Sequence, residues 1–75
     1  MDLYEFRKIM VSIGFKYNGH RYYEYKNYQI DLYNNYYNFY NGLEWFYANT
    51  LTDLRPLEKY FKKELRSIKL KQLLG

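Results

Sequence analysis

Apolar residues recur every third or fourth position at both ends of the chain and every second position between them. Near the start, Leu3, Phe6, Met10 and Ile13 form one stripe with Ile9 beside it, the spacing of a helix face. Asp2 stands ahead of the stripe as an N-cap, with Glu5 three residues on in capping-box spacing. Gly14 suits the left-handed position that ends a helix, and Phe15 suits the hydrophobic contact that accompanies it. The pattern predicts a helix over 2–13.

From Phe15 to Tyr47 the period is two, punctuated by Asn18-Gly19, Lys26-Asn27, Asn34-Asn35 and Asn41-Gly42. Asn-Gly is the strongest short hairpin signal, because both central residues of a type I′ turn need positive φ. The segments between are rich in Tyr and Phe, which suit a pleated, half-buried surface. Strands are predicted at 15–18, 21–26, 28–33, 36–40 and 43–48, the first little more than a bridge. Ile30 and Leu32 face the core, so Asp31 and Tyr33 face out. Tyr37 and Phe39 alternate with an outer set of Tyr36, Asn38 and Tyr40. On the last strand Leu43, Trp45 and Tyr47 alternate with Glu44, Phe46 and Ala48, and Leu43 and Trp45 are expected inward.

Thr50 to Pro56 reads as a linker, with Pro56 in the first turn of a helix, where its missing N–H costs nothing. Leu54, Leu57, Phe61, Leu65 and Ile68 form a narrow stripe and predict one continuous helix over 54–73. Leu70, Leu73 and Leu74 fall on the opposite side and offer a homodimer contact. The fold class expected is α+β in two layers: an N-terminal helix, an antiparallel meander of three to five short strands and a long C-terminal helix, both helices on one sheet face. Residues 1–75 form a single domain. The other face is wet and carries Tyr22, Glu24, Asp31, Tyr33, Tyr36, Asn38, Tyr40 and Glu44.

Composition sharpens this picture. The chain has 12 Tyr, 5 Phe and 1 Trp but no Cys, so aromatic burial must supply what disulfides give other small domains. The absence of Cys also excludes thiol catalysis and Cys-ligated zinc. Acids in MDLYEFRK are unlike a signal peptide, no apolar run approaches a membrane span, and the expected location is cytoplasmic. Net charge is +4, and residues 1–52 sum to zero, so all of the excess lies in 53–75. There Arg55, Lys59, Lys62, Lys63, Arg66 and Lys69 fall within about 120° of one another on a helix and form a basic stripe.

No catalytic, cofactor or metal motif is present, and the chain reads as a non-enzyme. His20 is the only histidine, Ser12 and Ser67 lie within predicted helices without an evident base, and the glycines are isolated. Asp31 and Glu44 could approach as a carboxylate pair, but paired acids on a wet face are ordinarily solvated charges. The Tyr/Asn face, with Tyr22, Asp31, Tyr33, Tyr36, Asn38, Tyr40 and Glu44, has the composition of protein-recognition surfaces. Base stacking is the competing use of such rings, but it normally comes with cations that follow phosphates. The chain has no Lys or Arg from Asn27 to Leu54, so the electrostatics favours a protein partner.

Helix, meander, helix resembles the layout of double-stranded-RNA-binding domains and of the small HicA-type toxin ribonucleases. The latter place a catalytic His on a strand after a Gly-Ser/Thr pair; Gly19-His20 echoes this without the hydroxyl residue, and neither family is assigned. The function expected is a small non-enzymatic protein-binding module. Its style is that of phage or mobile-element inhibitors of host defence, such as anti-CRISPR proteins, whose targets are larger proteins or ribonucleoproteins. The alternative is nucleic-acid binding through the basic C-terminal helix.

Overall fold

A computed structural model describes the backbone of residues 1–74 and the side chains of residues 1–68. Helix α1 (Leu3–Ile13) leads into strands β1 (Lys16–Tyr17), β2 (Tyr22–Tyr25), β3 (Tyr28–Leu32), β4 (Tyr37–Tyr40) and β5 (Trp45–Ala48), then helices α2 (Arg55–Glu58) and α3 (Lys62–Leu74). The strands form one antiparallel meander in the order β1-β2-β3-β4-β5. The α+β architecture is the one the periodicity predicts.

Helix α1 starts where the Asp2 carboxylate accepts the Glu5 N–H at 2.8 Å. It ends at Gly14, with φ of 131°, whose N–H and that of Phe15 both reach the Met10 carbonyl, at 3.1 and 3.0 Å. A Cβ on Gly14 would lie 2.7 Å from the Tyr25 ring, so conformation and space both require glycine there. Phe6, Ile9, Met10 and Ile13 are buried against the sheet.

The turns differ from the expectation. At both Asn-Gly pairs the asparagine is not left-handed; only its glycine has positive φ. The Asn18 side-chain oxygen instead accepts the N–H groups of His20, Arg21 and Tyr22 at 2.9, 3.0 and 3.2 Å. The Asn41 oxygen likewise accepts those of Leu43 and Glu44, both at 2.8 Å. Each loop is therefore longer than a two-residue hairpin. The tight turn is Lys26-Asn27, where Lys26 takes φ of 53°.

The longer Asn41 loop corrects the last strand. Leu43 and Glu44 sit in the turn and β5 begins at Trp45, paired with Tyr40, so Phe46 faces Phe39 and Ala48 faces Tyr37. Phe46 packs on the core and Ala48 is buried in it; Leu43 and Tyr47 are 90% and 73% exposed, and Trp45 lies on the outer face. This is a one-residue slip from the expected alternation, and it exchanges the whole set.

The predicted 54–73 helix is in fact two. Residues 59–61 interrupt it, with the Tyr60 and Phe61 N–H groups both bonded to the Leu57 carbonyl, at 3.1 and 2.8 Å. The break lets both Tyr60 and Phe61 lie against the sheet, which adjacent positions of a straight helix, about 100° apart, do not favour. Tyr60 packs on Phe39 and Tyr28 at ring-centroid distances of 5.5 and 5.8 Å, and its hydroxyl accepts the Asn41 amide at 2.8 Å. Phe61 sits at the centre of the core, edge-on to Tyr28, Phe15 and Phe39 at 4.9, 5.6 and 5.9 Å. Among the described residues, the core side chains of the helices (Phe6, Ile9, Met10, Ile13, Leu57 and Leu65) and Phe61 in the break join the same cluster as Ile30, Tyr37 and Phe39, so α1 and the α2–α3 segment cover one face. Among the described residues no helix covers the opposite face.

Candidate interaction surface

Strand parity projects the side chains of Tyr22, Glu24, Gln29, Asp31, Asn38, Tyr40, Trp45 and Tyr47 from the uncovered face. Tyr33 and Tyr36 extend it beyond the β3–β4 ladder, the Tyr33 N–H closing on the Tyr36 carbonyl at 2.9 Å. Of the residues expected on this face, Tyr22, Asp31, Tyr33, Tyr36, Asn38 and Tyr40 are brought together. Glu44 is not: it lies in the β4–β5 turn, one position before Trp45 and so off the outer alternation. Asp31 and Glu44 therefore form no carboxylate pair.

The rings form two groups. Tyr22, from β2, and Trp45, from β5, reach toward each other over the strands between them, with centroids 5.9 Å apart; Tyr40 packs on Trp45 at 5.1 Å. Tyr33 and Tyr36 stack at 4.5 Å with their planes 10° apart. Trp45 and Tyr47 were not expected here. The signal available was Ala48, a small residue that fits beneath a packed layer and fixes its neighbour Tyr47 outward.

Asp31 is on the open face yet only 6% exposed. Its carboxylate accepts the Arg21 guanidinium at 3.0 Å and the Tyr33 hydroxyl at 2.8 Å, and the same guanidinium also donates to the Tyr33 oxygen at 3.2 Å. Arg21 further lies over the Tyr22 ring, 5.3 Å from its centroid. Those bonds raise the Arg21 pKa above its ordinary value, the Tyr33 hydroxyl first and Asp31 next. Arg21 is a cation on this face that the expected site omitted. With Asp31 it makes a neutral unit, so the face still offers no row of free cations.

The basic stripe spans the helix break. Arg55, Lys59, Lys62 and Arg66 line one groove with Glu58 and the buried Leu65. Lys63 is exposed outside it, and the side chain of Lys69 lies beyond the described ones, as do those of Leu70, Leu73 and Leu74, the proposed dimer contact. Arg55 is forked onto Asp53 at 2.9 and 3.0 Å, and that guanidinium holds the Asp53 carboxyl below its ordinary pKa.

His20 is exposed in the β1–β2 loop, its N–H bonded to the Asn18 side chain, and it is not on a strand. Ser12 and Ser67 are exposed on α1 and α3. Among the described residues no three His, Cys, Asp or Glu side chains gather as metal ligands, and no helix is long and apolar enough to cross a membrane. Comparison of the chain with protein-family models, with curated proteins and with solved structures returned no match.

Proposed function

We propose that this protein is a small non-enzymatic binding module whose target is another protein, docked on the outer face of the sheet. The observation that carries this reading is a set of six aromatic side chains, Tyr22, Tyr33, Tyr36, Tyr40, Trp45 and Tyr47, on a sheet face that no helix covers. Rings already held by their neighbours lose little side-chain entropy on binding, and Tyr and Trp are the residue types that dominate interface energetics. A protein partner suits the face better than a nucleic acid does. Its cations are Arg21, which is committed to Asp31, and Lys16, which lies opposite Glu24 on the short edge strand, so no row of free cations follows a phosphate chain. Docking through this face acts by occlusion, which is how an inhibitor of a larger host protein works.

The test uses tagged protein to capture partners from extract of the native host, beside the double variant Tyr22→Ala/Tyr36→Ala. The expected result is a partner retained by the wild type and lost from the variant, with affinity changing little between low and moderate salt. A steep fall with salt, together with full binding by the variant, would move the function to the basic groove of α2 and α3.

A further inference from the structure

The geometry points to β5 as a receptor strand: we propose that an extended, acidic segment of the partner protein adds to the sheet beside it. This rests on the reading of the molecule as a protein-binding module and gives the partner its form.

β5 is the last strand of the sheet, and among the described residues no strand pairs with its far side. The Asn41 N–H closes on the Glu44 carbonyl at 3.1 Å, which sets the hydrogen-bond alternation of the β4–β5 hairpin. Phe39–Phe46 and Tyr37–Ala48 are then the bonded pairs, and the N–H and C=O groups of Trp45 and Tyr47 point away from β4. A natural sheet edge is usually guarded by a Lys, a Pro, a bulge or extreme shortness. The opposite edge has two of these, since β1 is two residues long and contains Lys16. β5, with sequence WFYA, has no Lys, no Pro and no bulge, and among the described residues only the short helix α2 stands near it.

Beside β5 runs a groove closed on its other side by α2. Phe46, Pro56 and Tyr60 give it apolar walls, and Asp53, Arg55 and Lys59 are its charged lining. Strand addition combines main-chain bonds along an edge with pockets for alternate side chains, and this groove lies where the inward-facing side chains of a sixth strand would fall. The charge selects the occupant. Arg55 is already paired with Asp53, whereas Lys59 has no carboxylate partner among the described residues and lies over the Tyr60 ring at 5.8 Å. A second copy joined edge to edge about a two-fold axis would bring two Lys59 side chains toward each other. A segment with apolar residues at alternate positions and an Asp or Glu within reach of Lys59 satisfies both.

The test pans a phage-displayed library of random dodecapeptides on the full chain and follows the enriched peptides by amide hydrogen exchange. Enriched peptides are expected to be acidic with alternating apolar residues and to slow exchange at the Trp45 and Tyr47 amides. Tyr47→Pro removes one outward N–H without touching the ladder to β4 and should bind about tenfold more weakly than Tyr47→Ala, which keeps it. Trp45→Pro, at the first residue of the strand, serves if Tyr47→Pro does not fold. Lys59→Glu should reverse the preference for acidic peptides. Failure to enrich any peptide, or equal binding by the Pro and Ala variants, overturns the proposal. So does a dimer, seen by light scattering, that Tyr47→Pro dissolves. A host partner lost by Tyr22→Ala/Tyr36→Ala but kept by Tyr47→Pro leaves the face reading standing and removes only this one.

Discussion

Tyr36 and Tyr37 are neighbours in the chain, and they show how differently the two faces of the sheet use one residue type. Tyr37 is fully buried, packs its ring on Phe6 at 4.6 Å and donates its hydroxyl to the Asp53 carbonyl. Tyr36 is 42% exposed and stacks on Tyr33 alone. The same contrast runs through the sheet: Tyr28 and Phe39 meet Phe61 on the inner side, while Tyr40 and Trp45 meet only each other and Tyr22 on the outer. Strand parity, more than residue type, separates an aromatic that holds the fold from one free to serve a partner.

The largest expected effect is on the inner side. Phe61 is 3% exposed and its ring lies against Phe15, Tyr28 and Phe39. Phe61→Ala should cost about 3–5 kcal/mol, through lost burial and an unfilled cavity. A small domain has roughly 4–11 kcal/mol to lose, by the usual per-residue stability, so the variant should be near the limit of folding. Urea unfolding measures it. A loss below about 1 kcal/mol would mean that the core is not centred on this ring and that the assignment of faces is mistaken.

That centre was partly legible in the sequence. The Leu57, Phe61 and Leu65 stripe is visible, as are the α1 stripe and the parity of β3 and β4, where Ile30 and Leu32 leave one choice of inner face. Two features were not. In β5 the three rings of WFYA tolerate either side, so parity hung on Leu43 in place of Ala48, and the Asn41 side chain had moved Leu43 into a turn. The helix break leaves the apolar spacing intact, because its cause is non-local: Tyr60 reaches rings on β3 and β4 and the Asn41 amide. The Arg21–Asp31 unit was hidden for the same reason, since ten positions separate Asp31 from Arg21, which stands just ahead of β2 next to Tyr22, the residue that the register pairs with Asp31. Local pattern thus fixed which elements form, asparagine side chains bonded within the loops fixed where the strands turn, and contacts between elements fixed where the last helix breaks.

An intermediate effect belongs to the buried tyrosine. Tyr37→Phe deletes only the hydroxyl and its bond to Asp53 and should cost about 1 kcal/mol at neutral pH. Burial first, then the negative charges of Asp53 and Glu58, push the Tyr37 phenol well above its ordinary value. The folded protein therefore keeps that proton at a pH where the unfolded chain has lost it. Stability from this group is complete below about pH 10, the unfolded phenol's pKa, and declines as pH rises above it. Urea titrations at neutral and strongly alkaline pH should show a smaller alkaline loss for Tyr37→Phe than for the wild type. Equal losses would mean that the phenol is not shielded.

The smallest effect is expected one residue earlier, and its smallness is what matters. Tyr36→Ala removes a half-open ring whose one aromatic neighbour, Tyr33, keeps its hydroxyl on Asp31. Only the stack is lost, so the cost should stay under about 1 kcal/mol, with the melting transition as cooperative as before. Partner binding should weaken far more than stability does, because an interface ring is desolvated only in the complex. Measuring both on one preparation separates the two faces directly. If Tyr36→Ala destabilised the protein as much as Tyr37→Phe does, the outer rings would be structural cover, and the face would have no surplus to offer a partner.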